Sequence, residues 1–192
     1  PRLLRFKELN NGHPVGMTED DWDRFNKVSP RVAAAPLFID ATAEQTLTRI
    51  KARCRRMQQR DGLDLVVVDY LQLLKSDSRG ENRQVEVARM SRSIKLMAKE
   101  LGVPVVVAAQ LNRGPEQRTD KKPMLSDLRE SGSLEQDADL VILLHREDAY
   151  EKESPRAGEA DLIVAKHRAG PLATITVAFQ GHYSRFVDMA QT

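Results

Sequence analysis

Hydrophobic and polar positions follow two kinds of pattern along the chain, and the first kind predicts helices. Between residues 43 and 60, apolar side chains recur at steps of three and four, the period of one helix face: Leu47, Ile50, Cys54 and Met57. A second helix is predicted up to Leu101, where Gly102 stops it; its apolar face comprises Val87, Met90, Ile94, Met97 and Leu101. A short third helix is predicted after Thr18, because residues 18–21 resemble a capping box.

Short apolar runs form the second pattern and predict strands. They are "PLFID" (36–40), the run that ends at Asp69 (63–69), "VPVVVAAQ" (103–110) and "DLVILL" (139–144). The run before Asp69 is rich in β-branched residues, which indicates a strand buried on both faces of a parallel sheet. "ADLIVAK" and "ATITVAF" predict a terminal β-hairpin, with Ile175, Val177 and Phe179 on one face. The predicted fold is α/β, a mostly parallel sheet flanked by helices with an antiparallel hairpin extension.

Length and composition narrow the class of protein. With 192 residues and a net charge of +2, we expect one domain, and any nucleic-acid site must be local. The single cysteine, Cys54, excludes an internal disulfide, and the four histidines lack zinc-ligand spacing. No apolar stretch is long enough for a membrane span, so we expect a cytoplasmic protein. We assign residues 1–192 to a single partial domain, with 1–35 a less certain leading segment and 36–192 the core.

Polar side chains end two of the predicted strands. Asp69 closes the first, and Gln110 closes the next. In open α/β sheets, ligands bind beyond the carboxyl ends of the strands. A carboxylate there can hold Mg²⁺ through its waters, and a neutral amide can orient water or donate to a phosphate. The pair suggests nucleotide hydrolysis, although polar strand ends also arise where a sheet simply meets solvent.

Two cations stand together at the predicted hairpin turn. Lys166 and Arg168 are two residues apart, so on an extended backbone they point the same way, and Gly170-Pro171 completes the turn. Without an obvious partner in their own domain, they suit a phosphate chain on a neighbouring subunit. The alternative is a solvated loop tip.

A polar loop, residues 121–139, carries Arg129, Glu130 and Gly132. An arginine and a glycine in such a loop can approach nucleic-acid phosphates closely. No aromatic residue lies there, so base stacking is not supported and backbone contact fits better. Alternatively, Arg129 and Glu130 pair with each other or cap the following helix.

Together, "LVVVDYLQLL", residues 105–139 and "AKHRAGP" closely resemble the carboxyl-terminal RecA-like motor domain of DnaB-type bacterial replicative helicases. The resemblance implies a ring homo-hexamer that hydrolyses ATP with Mg²⁺ while moving on single-stranded DNA, with a primase and a helicase loader as partners. It places the Walker B aspartate at Asp69 and the γ-phosphate-sensing glutamine at Gln110. It also implies a trans-acting lysine and arginine finger at Lys166 and Arg168, and DNA contacts at Arg129, Glu130 and Gly132.

One motif of this family is missing from the sequence. No G-x-x-x-x-G-K-[ST] occurs, so we expect the Walker A lysine and threonine and the catalytic glutamate to precede Pro1, and the chain alone to be inactive. Two other functions remain open. One is a non-catalytic RecA-like domain for DNA binding or protein interaction. The other is a strand-exchange protein, which would lack "DLRESGS" and "KHRAGP".

Overall fold

The computed structural model describes residues 18–75 and 82–189, except for the side chains of residues 129–131. By their contacts, the described residues divide into two compact units: residues 18–41 with 179–187, and residues 42–75 and 82–178 with 188–189. None of the helices within the described ranges combines the length and apolar character that a bilayer crossing requires.

The first unit contains helix α1, Glu19–Ala33. Its start confirms the predicted capping box: the Thr18 hydroxyl accepts from the Asp21 N–H, and the Asp21 carboxylate accepts from the Thr18 N–H. The same unit holds residues 185–187 of strand β6, Arg185–Asp188, and the ring centroids of Phe186 and Phe179 lie 5.1 Å apart. The predicted strand at 36–40 is wrong, because this segment is not paired with any described strand. Its apolar side chains stay exposed, Ile39 by 83%.

The core of the second unit lies between two helices and a parallel strand pair. Helix α2 spans Leu47–Arg60 and helix α3 spans Arg83–Leu101, and both confirm the predicted apolar faces. All five apolar positions predicted for α3 are buried, and Gly102 ends the helix in the left-handed region at φ 67°. Strands β1, Val66–Val68, and β2, Val105–Val107, pair in parallel with Val68 opposite Val107.

A second sheet of the same unit is antiparallel. Strand β3, Leu140–His145, pairs with β4, Glu159–His167, and β4 pairs with β5, Ala173–Gln180. This confirms the predicted terminal hairpin, although only Val177 of its apolar stripe is buried. Helix α4, Gly132–Asp137, precedes β3 and contacts α3. The predicted α/β class, with a parallel sheet, helices and an antiparallel extension, is confirmed.

The prediction that the first strand is buried on both faces is wrong. Val66 and Val68 are buried, whereas Val67, which points to the other face, is 64% exposed. Val106 of β2 is likewise exposed by 54%. Successive side chains of a strand point to opposite faces, so α2 and α3 cover only one side of this strand pair.

Candidate functional site

Asp69 and Gln110 lie beyond the carboxyl ends of neighbouring parallel strands. Asp69 directly follows β1, and Gln110 lies three residues beyond the end of β2. The two strand ends are joined by backbone hydrogen bonds, from the Ala108 N–H to the Val68 carbonyl (2.9 Å) and from the Leu71 N–H to the Ala108 carbonyl (2.9 Å). The structure therefore brings both predicted residues to one edge of the same strand pair, where open α/β sheets bind ligands.

Gln72 holds the backbone of Gln110, and the sequence analysis missed it. Its side-chain N–H donates to the Gln110 carbonyl at 3.2 Å, and its side-chain oxygen accepts from the Gln110 N–H at 3.2 Å. Both backbone groups of Gln110 are thus tied to the segment that follows Asp69. The only sequence signal was its place, three residues after the strand-ending aspartate.

The environment of Asp69 suits a hydrated cation. The residue is exposed, and no group in the described ranges hydrogen-bonds to its carboxylate. Those ranges contain no cluster of three or more acidic, histidine or cysteine side chains around a common point. Mg²⁺ usually keeps several waters and takes one or two protein carboxylates, so a single available carboxylate fits this ion.

Lys166 and Arg168 converge on the end of α4. The Lys166 ammonium donates to the carbonyls of Glu135 and Gln136, and the Arg168 guanidinium donates to the Gln136 carbonyl at 2.7 Å. The expectation that these cations lack a partner in their own domain is wrong. The last carbonyls of a helix have no partner within the helix and carry negative partial charge, which attracts cations.

Asp139 adds a charged partner to this cluster. Its carbonyl accepts from the Arg168 N–H at 2.9 Å, and its carboxylate lies 3.4 Å from the Arg168 guanidinium. The Lys95 ammonium on α3 hydrogen-bonds to the same carboxylate and, with help from the charges of Arg168 and Lys166, lowers the pKa of Asp139. The two cations at the end of β4 are therefore held on the same domain as Asp69 but on the other sheet.

Helix α4 joins this cationic cluster to the predicted DNA-binding segment. A 3-10 helix, Leu125–Ser131, leads into α4, so residues 129 and 130 lie just before Gly132 at its start. Their side chains lie outside the described residues. No described atom lies within 4 Å of the position that a side-chain carbon at Gly132 would take, so packing within the chain does not require glycine there. The glycine suits a close approach by a ligand.

Helix α3 fixes the position of α4. The buried Ser91 hydroxyl donates to the Asp137 carboxylate at 2.8 Å, and the Arg92 guanidinium lies 3.6 Å from the same carboxylate. Because α4 is anchored at this end, the start of the helix at Gly132 has a defined place on the domain.

Helix α2 carries six basic side chains, here called its basic run, which have two kinds of surroundings: Arg49, Lys51, Arg53, Arg55, Arg56 and Arg60. Lys51 and Arg55 pair with Glu100 of α3, which lowers the pKa of that carboxyl to about 2. Other arginines of the run line a shallow cleft beside Thr42 and Gln45: Arg49, Arg53 and Arg56. Part of the run thus ties two helices together, and part faces solvent.

Comparison with known proteins gives a consistent result. Residues 4–188 match the family described as the DnaB-like helicase C terminal domain. The replicative DNA helicase DnaB of Leifsonia xyli subsp. xyli is 64% identical over 170 residues, which cover 88% of this chain and 37% of that protein. The chain therefore spans little more than a third of this relative's length.

Two solved structures are similar to this fold. A structure described as an ATPase domain matches with a TM-score of 0.86 and 40% identity, covering 90% of this chain and 61% of that one. A DnaB-like replicative helicase, described with its interactions with primase, matches with a TM-score of 0.85 and 39% identity, covering 90% and 42%.

Proposed function

The chain belongs to the DnaB-like helicase C-terminal domain family, and on this premise we propose that it is the distal part of an ATP-driven replicative helicase motor. The complete protein would move along single-stranded DNA and unwind the duplex at the replication fork, in the cytoplasm. We assign the chain to one partial RecA-like domain, residues 1–192, with residues 36–192 as its core.

The observation that carries this proposal is the common position of Asp69 and Gln110 at one edge of the parallel pair. Asp69 would hold Mg²⁺ through water, and the Gln110 amide would contact the γ-phosphate of ATP or orient the attacking water. The magnesium ion, when bound, neutralises charge that develops on the transferred phosphoryl group. Gln72 would keep the Gln110 backbone fixed while its side chain reaches the nucleotide.

The cationic pair at the end of β4 would act on a neighbouring subunit. Lys166 and Arg168 rest on neutral carbonyls of α4 and on the exposed Asp139. Charged phosphate oxygens are stronger acceptors than neutral carbonyls, so an adjacent nucleotide can compete for both side chains. Such action requires an adjacent subunit, and we propose that the subunits form a homo-hexameric ring.

The segment before and at the start of α4 would contact single-stranded DNA. Arg129, Glu130 and Gly132 lie in sequence around the junction of the 3-10 helix and α4. A cation and backbone N–H groups at such a junction recognise phosphates without reading bases. A primase and a helicase loader are proposed as protein partners; the primase is supported by the similar helicase described with primase.

The test replaces Asp69 in the full-length protein. We expect Asp69→Asn to abolish ATP turnover and unwinding while nucleotide binding is largely retained, because losing the carboxylate disturbs the metal more than the phosphate contacts. Turnover, unwinding and the affinity for a fluorescent ATP analogue would be measured side by side.

Asp64→Asn is the matched control, because Asp64 is also exposed but precedes the amino end of the same strand. It should leave all three measurements unchanged. Normal turnover by the Asp69→Asn protein would remove Asp69 from the site. A full-length wild-type protein that binds DNA but never hydrolyses ATP would favour the non-catalytic DNA-binding alternative.

A further inference from the structure

A buried aspartate, Asp127, lies two residues before the proposed DNA contacts and is paired with Arg118. The Arg118 guanidinium donates two parallel hydrogen bonds to the Asp127 carboxylate, at 2.7 and 2.6 Å. The side chain of Asp127 is only 3% exposed. Bidentate arginine–carboxylate pairs of this kind fix geometry as well as charge.

Asp127 ties together three parts of the loop that precedes α4. Its carboxylate accepts from the Met124 N–H at 2.6 Å, at the start of the 3-10 helix, and its carbonyl accepts from the Asn112 N–H at 2.9 Å. Arg118 also donates to the Lys122 carbonyl at 2.9 Å. One residue thus joins segments that are up to 15 residues apart in sequence.

Gly114 shows how closely the loop packs around this pair. A side-chain carbon at Gly114 would lie 2.8 Å from the Asp127 carboxylate and 2.8 Å from the side-chain oxygen of Asn112. Real contacts of such a carbon are essentially never under 3.0 Å, so glycine is needed here for space and not for an unusual backbone angle.

We infer that Arg118 and Asp127 are positioning residues for single-stranded DNA, which fix the start of the 3-10 helix and so hold in place, before DNA binds, the backbone that leads to Gly132. This inference rests on the DNA-binding role proposed above. The segment is held on both sides: at Asp127 by Arg118, and at Asp137 by Ser91. Fixing a binding segment before contact spares the ordering cost that a loose loop pays on binding.

The chain contains a second ion pair that makes a matched control. Arg156 binds the Asp161 carboxylate through the same two guanidinium nitrogens, at 2.9 and 2.7 Å, and the Asp161 side chain is 6% exposed. Asp161 lies near the start of β4, five residues before Lys166, and Arg156 lies in the turn before the strand. The hydrogen-bond partners of Asp161 are Arg156 and Thr176, which we do not assign to DNA or nucleotide. In both pairs, replacing the aspartate removes a buried charged acceptor and leaves a partly exposed arginine, 28% exposed for Arg118 and 33% for Arg156. Only the Arg118–Asp127 pair holds the proposed DNA-binding segment.

The experiment compares Asp127→Asn with Asp161→Asn in the full-length protein. Thermal midpoint, ATP turnover without DNA, and affinity for a single-stranded oligonucleotide of thymidines would be measured at temperatures where each variant is folded. Both variants should lose thermal stability to a similar degree and keep their DNA-free turnover. Only Asp127→Asn should bind the oligonucleotide roughly tenfold more weakly, which corresponds to about 1.4 kcal/mol.

Gly114→Ala gives a second route if Asp127→Asn does not fold. It displaces the pair without removing a charge, and it should weaken DNA binding in the same way. Arg129→Ala distinguishes the DNA-binding role proposed for this segment from the positioning role inferred for Arg118 and Asp127. Full DNA affinity in that variant would refute the DNA-binding role itself. If Arg129→Ala weakens binding while Asp127→Asn and Gly114→Ala do not, or if Asp161→Asn weakens it equally, the positioning role is overturned.

Discussion

Two buried aspartates show how individual residues keep charge inside this small domain. Asp127 and Asp161 are each almost fully buried, and each is paired with both terminal nitrogens of one arginine. The Arg118 hydrogen bond lowers the pKa of Asp127 against the opposing effect of burial. An isolated buried carboxylate would be costly, so each pair acts as a unit that must be kept or removed whole.

The lowered pKa of Asp161 predicts how the stability of the fold depends on pH in acid. The hydrogen bond from Arg156, helped by Thr176, lowers the pKa of Asp161 from its ordinary 3.8 to about 2. Because the folded pKa lies below the ordinary value, this pair stabilises the fold fully above about pH 4, and the contribution is lost as the pH falls through about 2. Acid should therefore lower the thermal midpoint of the wild type steeply in this window.

Asp161→Asn should remove that part of the acid dependence. At neutral pH the variant should lose about 1–3 kcal/mol, because the hydrogen bonds from Arg156 and Thr176 lose their charged, buried acceptor, while Arg156 keeps its pairing with Glu159. Between pH 4 and 2 its midpoint should fall less than that of the wild type. Equal steepness in both proteins would mean that other carboxyl groups with a lowered pKa, such as Glu100, whose pKa is lowered to about 2 by Arg55 and Lys51, dominate acid unfolding.

Helices and strands differ in how far the sequence predicts them, and α3 shows why. Every apolar position predicted for this helix is buried, because helix periodicity is a local property of the chain. The segment at residues 36–40 failed as a strand because a strand needs a partner, which can lie anywhere in the chain. The predicted burial of Val67 was wrong for a related reason, since covering the second face of the strand pair requires another helix or strand.

The residues of the candidate site also differ in how far the sequence predicts them. The shared position of Asp69 and Gln110 could be predicted because each follows an apolar run, and that of Lys166 and Arg168 because their spacing places them on one side of a strand. The roles of these four residues stay predictions. Gln72 and the Arg118–Asp127 pair could not be predicted, because nothing in spacing or composition distinguishes Asp127 from its exposed neighbours such as Asp120. Side-chain partners depend on long-range packing.

At the scale of elements, α3 allows a prediction with an adjacent control. Met97 is 1% exposed and lies in the core between α2, α3 and β1, whereas the preceding residue, Leu96, is 50% exposed. Met97→Ala in the full-length protein should cost about 2–5 kcal/mol through lost packing and a new cavity. Leu96→Ala should stay within about 0.5 kcal/mol.

Denaturant unfolding of both variants, followed by helical circular dichroism, measures these costs. Comparing the two variants is informative because the substitution changes helix propensity in nearly the same way at both positions. The difference between their free energies of unfolding therefore reports burial. An equally large loss for Leu96→Ala would show that the outer face of α3 is covered in the complete protein.

At the scale of the whole molecule, two separate groups of residues would have to serve the one proposed reaction. Asp69 and Gln110 lie at the edge of the parallel pair, and Lys166 and Arg168 lie at the end of β4 in the antiparallel sheet. Helix α4 connects the second group to the proposed DNA contacts, because its last carbonyls hold the cations and its first residue is Gly132. If the cations leave these carbonyls for a neighbour's nucleotide, α4 loses contacts that help to hold it.

A subunit-mixing experiment tests the action of Arg168 on a neighbouring subunit. In full-length protein, Arg168→Ala and Asp69→Asn should each be nearly inactive as pure assemblies, because a trans-acting arginine commonly contributes about a thousandfold or more. In mixed rings, some interfaces join an intact Asp69 on one subunit to an intact Arg168 on the next. Those interfaces should regain ATP turnover above the sum of the separate variants. Arg185→Ala, mixed in the same way, controls for loss of an exposed arginine on another strand. If subunits demonstrably exchange and mixtures never exceed that sum, Arg168 acts within its own subunit or only supports α4.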